Sequence, residues 1–127
     1  TEIDFTGGFD LSDSFFLGIN AAYLTLENNG GGFAGAALYP QYAVSDTFTL
    51  GLRGEYFVED GDFGAIGTGV ADSSVFATTL TASFAIDNLT IKPEIRLDSA
   101  SDNAFLNNDL AGQKSLSSFV LAAIYSF

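Results

Sequence analysis

Apolar and polar residues alternate along most of this chain, and the alternation is sharpest between Leu89 and Asp98. Successive side chains of a β-strand point to opposite faces of the sheet, so a period of two separates the two faces of a strand. One face of this segment is wholly apolar, and the other carries Thr90, Lys92, Glu94, Arg96 and Asp98. The segment is therefore predicted to be an amphipathic strand.

The same pattern occurs seven times, with turn residues between the runs, which predicts an all-β protein built as an antiparallel up-and-down meander. Pro40 weakens the third strand, because proline lacks the N–H that a sheet interior needs. The predicted strands are Glu2–Asp10, Ser14–Leu26, Phe33–Val44, Thr47–Val58, Val75–Ile86, Leu89–Asp98 and Leu116–Phe127.

The predicted connections alternate between short and long. Short turns begin at Leu11, Ser45 and Asp87, and long loops cover 27–32, 59–74 and 99–115. Transmembrane β-barrels have short turns on one side and long loops on the other. The strands of 9 to 13 residues also match the roughly 9–11 residues that cross a bilayer at a tilt. Both regularities favour a transmembrane barrel over a soluble sandwich.

Composition excludes several classes of function. The chain has 16 acidic and 4 basic residues, no histidine and no cysteine, so we expect no nucleic-acid partner, no metal site and no cofactor. Nucleophile pairs that need a histidine are also absent. Glu55 and Glu94 are the best candidates for paired catalytic carboxylates, but each has a basic neighbour two residues away that would keep it ionised. We therefore expect no enzyme activity, and we expect the acidic run Glu59–Asp62 to be a solvated loop.

Charged residues on the polar faces of two predicted strands form a second pattern, a charge ladder. In a barrel these faces point into the lumen. The ladder could tune ion selectivity, or it could consist of structural salt bridges, which we favour. Arg53 and Glu94 could meet only across small residues such as Thr79, Thr81 and Ser83. The ladder residues are Arg53, Glu55, Lys92, Glu94, Arg96 and Asp98.

From about Ala21 onward the chain resembles the β-barrel porins of Gram-negative outer membranes. The likeness is carried by Ala37–Pro40, Phe48–Phe57, Leu89–Asp98 and Tyr125–Phe127. It implies passive passage of small solutes or ions, location in the outer membrane, and contact with outer-membrane lipid and the barrel-assembly machinery. The last strand is similar to the signal that this machinery recognises, and the residues that would form the signal are Phe119, Leu121, Tyr125 and Phe127.

Members of that family are longer, and an odd number of strands would place Thr1 and Phe127 on opposite sides of the membrane. Bacterial single-chain barrels have even strand numbers. We therefore expect residues 1–127 to be either a single β-barrel domain or the C-terminal part of a larger barrel.

Two alternatives remain open at this point. Open sheet edges could allow a homo-oligomer or a self-assembling, amyloid-like β filament outside the cell. A soluble lipocalin-like barrel that binds an apolar ligand would place the apolar faces inside and the charge ladder outside.

Overall fold

The computed structural model describes residues 1–28 and 30–127 and is all-β. Asn29, in the predicted loop 27–32, lies outside the described residues. Within the described part, no helix has the length and apolar character needed to cross a membrane. The strands are β1 (Glu2–Ser12), β2 (Phe15–Thr25), β3 (Gly32–Ser45), β4 (Phe48–Asp60), β5 (Ser74–Ile86), β6 (Leu89–Ala100), β7 (Phe105–Leu106), β8 (Gly112–Gln113) and β9 (Ser115–Tyr125).

Seven long strands form one antiparallel sheet in the order β1-β2-β3-β4-β5-β6-β9. This confirms the predicted seven-stranded meander. The sheet is not closed: β1 and β9 form its two edges, and they run in the same direction because six antiparallel steps separate them. The sheet is consistent with part of a β-barrel.

The short connections are two-residue turns held by local chemistry. Ser12 Oγ accepts hydrogen bonds from the Ser14 and Phe15 N–H groups at 3.3 and 3.1 Å. Ser45 Oγ accepts one from the Thr47 N–H at 3.3 Å. A serine hydroxyl commonly replaces a backbone acceptor in this way. The three long connections leave the opposite end of the sheet, so the predicted alternation is confirmed.

The third long loop contains a small hairpin, β7 with β8, which the sequence analysis missed. Asn107 closes the hairpin, because its Oδ1 accepts hydrogen bonds from the Asp109 and Ala111 N–H groups, both at 2.9 Å. Strands of two residues are too short for an alternation of side chains to reveal them.

The register places most of the apolar residues of the seven long strands on one face. A row across the middle of four neighbouring strands shows this arrangement: Leu52 lies opposite Leu80, Leu80 opposite Ile95, and Ile95 opposite Phe119. All four side chains are exposed, and Leu80 keeps 50% of its surface open. The sheet therefore presents a broad apolar surface, far larger than a water-soluble monomer normally exposes.

The polar face is the more enclosed of the two. Ala77 is 1% exposed and Asp98 is 8% exposed, although both lie on strands of an open sheet. Side chains crowd on the inside of a curved sheet, so these exposures indicate that the sheet curls around its polar face. The soluble lipocalin-like barrel predicts the reverse orientation, with apolar side chains inside, and is contradicted.

Candidate lumen site

The charge ladder lies on the enclosed face, where β4, β5 and β6 are neighbours. Arg53 on β4 lies opposite Thr79 on β5, and Thr79 lies opposite Arg96 on β6. The adjacent row places Glu55 and Asp98 on either side of Ala77. Because the central strand contributes only small side chains here, charged groups two strands apart can reach each other.

Arg96 is the centre of the resulting ion-pair network. Its Nη2 lies 2.6 Å from Glu55 Oε1, across β5, and 2.8 Å from Asp98 Oδ1. Its Nε donates to both Asp98 oxygens, at 2.9 and 3.2 Å. The second Glu55 oxygen pairs with Arg53. Four of the six ladder residues thus form one connected network, and both carboxylates have both oxygens engaged.

The pair considered from the sequence, Arg53 with Glu94, is not formed. Glu94 instead accepts a hydrogen bond from Thr81 Oγ1 at 2.8 Å. Lys92 lies on the same face, beside a cavity that Glu94 also lines. In the described part of the chain, Lys92 makes no ion pair within 4.0 Å.

Arg53 also packs against an aromatic ring. Its guanidinium carbon lies 5.3 Å from the centre of the Tyr39 ring, a distance at which a cation is attracted to the ring face. Arg53 Nε and Thr79 Oγ1 are buried and lack a hydrogen-bond partner within the described chain. The Arg53 side chain is therefore held by Glu55 on one side and by Tyr39 on the other.

Two cavities lie along the polar face, one on each side of the Arg53–Tyr39 contact, and both residues line both cavities. The lower cavity, near the short turns, has a volume of about 340 Å³ and is lined mainly by polar side chains. The upper cavity, near the long loops, has a volume of about 450 Å³. Its wall is mainly apolar and includes Phe33, Phe57, Ile66 and Val75.

The inner loop, residues 61–73, forms one wall of the upper cavity. Glu59 is only 3% exposed, and its Oε1 accepts a hydrogen bond from the Ile66 N–H at 2.6 Å. The Phe63 ring lies 5.6 Å from the Phe33 ring. These contacts fold the loop over the polar face, toward the ladder.

The expectation that Glu59–Asp62 is a solvated acidic loop is wrong for Glu59, which belongs to β4 and is buried. Its neighbours Asp60 and Asp62 are exposed. Sequence reasoning predicted a loop over residues 59–74 but missed its inward path, because glycine and aspartate are typical of outward loops. The signal that could have found it is the pair of phenylalanines, Phe33 and Phe57, at positions where alternation calls for polar residues.

The residues of the predicted assembly signal lie on or beyond the last strand. Phe119, Leu121 and Tyr125 are on the apolar face of β9 and are exposed, as is Phe127 after the strand. Their recognition by an assembly machinery stays a prediction. No group of three or more His, Cys, Asp or Glu residues in residues 1–28 and 30–127 is arranged to hold a metal ion.

Comparison with protein families gives a match over residues 1–127. The matching family is described as "Putative beta-barrel porin-2, OmpL-like". No curated protein and no solved structure matches the chain.

Proposed function

The chain belongs to this β-barrel porin family, and from that premise we propose that it contributes a transmembrane wall to a barrel through which small solutes or ions pass passively. The observation that carries the proposal is the separation of the two faces. The apolar face is exposed along all seven strands, and the polar face encloses an ion-pair network and two cavities. Barrels that line water-filled channels have this arrangement, with lipid outside and water inside.

The proposed location is the outer membrane of a Gram-negative bacterium, with outer-membrane lipid as the partner of the apolar face. Only helices and closed barrels satisfy their backbone groups within lipid. The β1 and β9 edges would therefore need to be paired in the membrane.

The ladder supports structural pairing more than strong ion selection. Its three basic residues balance its three acidic residues, so the charge ladder carries no net charge. The charge ladder would then act mainly to hold β4, β5 and β6 in register and to keep the passage polar. Acidic residues at the long-loop end, such as Asp60, Asp62 and Asp102, would favour cations near the mouth.

Conductance in planar bilayers tests this proposal. We expect ohmic channels with a weak preference for K⁺ over Cl⁻, measured from the reversal potential in a KCl gradient. Arg53→Ala and Arg96→Ala should each raise the cation preference, because each leaves the charge ladder with one net negative charge. Arg53→Lys and Arg96→Lys are the matched controls, since each keeps the positive charge that the alanine variant removes.

The outcomes separate the two roles of the ladder. An ion preference that does not change in either arginine variant would rule out a selectivity role and leave structural pairing. A protein that inserts into bilayers but conducts no current would contradict the proposed passage itself.

A second candidate, a self-assembling β filament, is favoured only by the two sheet edges. The β1 edge, however, carries Glu2, Asp4 and Asp10, and charges on an edge strand oppose stacking between chains. Fibres that bind amyloid dyes and resist detergent would support this alternative. Heat-modifiable migration of a detergent-dependent monomer would support the barrel.

A further inference from the structure

We propose that the upper cavity is a binding site for a small uncharged solute that joins a flat apolar ring to hydroxyl groups, such as an aryl glycoside. This inference rests on the proposed function, because it assumes that solutes reach the polar face. It goes further by assigning a chemical class of ligand to one position along the path. A cavity of about 450 Å³ is within the range of roughly 300–1,000 Å³ that is usual for ligand sites.

The wall of the cavity provides the apolar contact. Phe33 and Phe57 stack with ring centres 5.2 Å apart and an angle of 30° between their planes. Phe63 tilts against Phe33, and Ile66 of the inner loop covers the same space. Aromatic side chains on a face that is otherwise polar form a surface on which a flat apolar ring can pack.

The floor of the cavity provides polar contacts. Arg53 and Tyr39 both line it, and Arg53 pairs with Glu55 through one of its guanidinium nitrogens only. Arginine has five N–H donors, and tyrosine can donate and accept. Hydroxyl groups of a solute can therefore bond to this floor while its ring packs against the phenylalanines.

The charges at the floor indicate that the ligand is uncharged. Arg53 and Arg96 are balanced by Glu55 and Asp98, so the network attracts neither sign strongly. Both oxygens of Glu55 and both oxygens of Asp98 are already engaged by arginines, so a cationic ligand would be desolvated without a carboxylate partner. An anion would also have to pass the acidic residues of the surrounding loops, including Asp60 and Asp62.

The test measures binding to the full chain refolded in detergent micelles, by saturation-transfer NMR. The probes are phenyl β-D-glucoside, glucose, phenyl phosphate and benzylamine. We expect the glucoside to bind more tightly than the other three. Phe57→Ala should weaken glucoside binding about 2–10-fold, the factor that corresponds to loss of one aromatic contact.

The chain offers a matched control for partitioning of the probe into micelles. Phe48 and Phe84 also stack, with ring centres 4.7 Å apart, but on the apolar face. Phe84→Ala should leave glucoside binding unchanged. Phe57→Leu, which keeps apolar volume and removes the ring, provides a second variant if Phe57→Ala does not fold.

The inference is overturned if the charged probes bind as tightly as the glucoside. It is also overturned if the Phe57 variants bind the glucoside like the unchanged protein, or if Phe84→Ala weakens binding equally. Conductance of the same protein, measured after transfer from micelles into planar bilayers, keeps this test separate from the test of the proposed function. Binding without conductance would support the site and count against passage, whereas conductance without binding would do the opposite.

Discussion

Placing a charge at Leu80 tests whether the apolar face meets lipid. Leu80 is the central residue of the 13-residue strand β5. Its side chain is half-exposed and lies in the apolar row, between Leu52 of β4 and Ile95 of β6. An arginine on the lipid face of a transmembrane barrel costs about 2–4 kcal/mol at the bilayer midplane and about 0–1 kcal/mol near the interface. Leu80→Arg should therefore lower the free energy of unfolding by about 2–4 kcal/mol.

Ile86 provides the depth control, because it lies on the same face six residues further along β5. With a rise of roughly 3.4 Å per residue and a strand tilt of about 40°, it is roughly 15 Å from Leu80 along the membrane normal. That distance exceeds half of the roughly 25 Å apolar band of such barrels. Ile86→Arg should therefore cost only about 0–1 kcal/mol.

Ser83 provides the face control, because it lines the lower cavity on the polar face. Ser83→Arg should change stability by less than about 1 kcal/mol, since its side chain would point into water. The measurement is reversible urea unfolding in phosphatidylcholine vesicles, followed by tyrosine fluorescence and gel mobility. Equal costs for Leu80→Arg and Ser83→Arg, or a greater cost for Ser83→Arg, would refute the assignment of faces.

Three further predictions follow from the network, the inner loop and the last strand. Arg96→Met should destabilise the sheet by about 1–3 kcal/mol in the same unfolding assay, because it leaves the enclosed Asp98 carboxylate without its cation. The control Lys114→Met should cost less than about 1 kcal/mol, and equal costs for the two variants would contradict the network. Glu59→Ala should raise single-channel conductance, because it removes the acceptor that holds Ile66, while Glu59→Gln, which keeps an acceptor oxygen, should leave it near the original value. Equal conductance in the two Glu59 variants would contradict an anchored loop. Phe127→Ala should slow insertion by the assembly machinery in cells without changing the yield of unassisted refolding, because the Phe127 side chain is fully exposed in the described part of the chain. Unchanged insertion in cells would remove its role as a signal.

Alternation was sufficient to predict the sheet. The segment Leu89–Asp98 was predicted from its two faces alone, and it forms β6 (Leu89–Ala100) with those faces. The end of β4 was harder, since Glu59 and Asp60 are followed by Gly61 and read as the start of a loop. Strand ends depend on pairing with neighbours, here Gly32 with Asp60 and Phe33 with Glu59, which a local pattern does not contain.

The candidate site was predictable as a set of residues but not as a set of partners. The sequence placed Arg53, Glu55 and Arg96 on the polar face, where they are found. It could not give the register that brings Arg96 to Glu55 and leaves Glu94 with Thr81. The upper cavity depends on the inner loop, whose inward path is fixed by the Glu59–Ile66 hydrogen bond and by contact of Phe63 with Phe33.

The most direct test of the central claim is a labelling scan along β5. The chain has no cysteine, so one cysteine at a time from position 75 to position 86 can carry a spin label in vesicles. We expect oxygen, which concentrates in lipid, to relax the labels at even positions such as 76, 80 and 84. A water-soluble nickel chelate should relax those at odd positions such as 79, 81 and 83. The reverse pattern, or no alternation, would contradict a sheet with its apolar face in lipid and its polar face around a water-filled path.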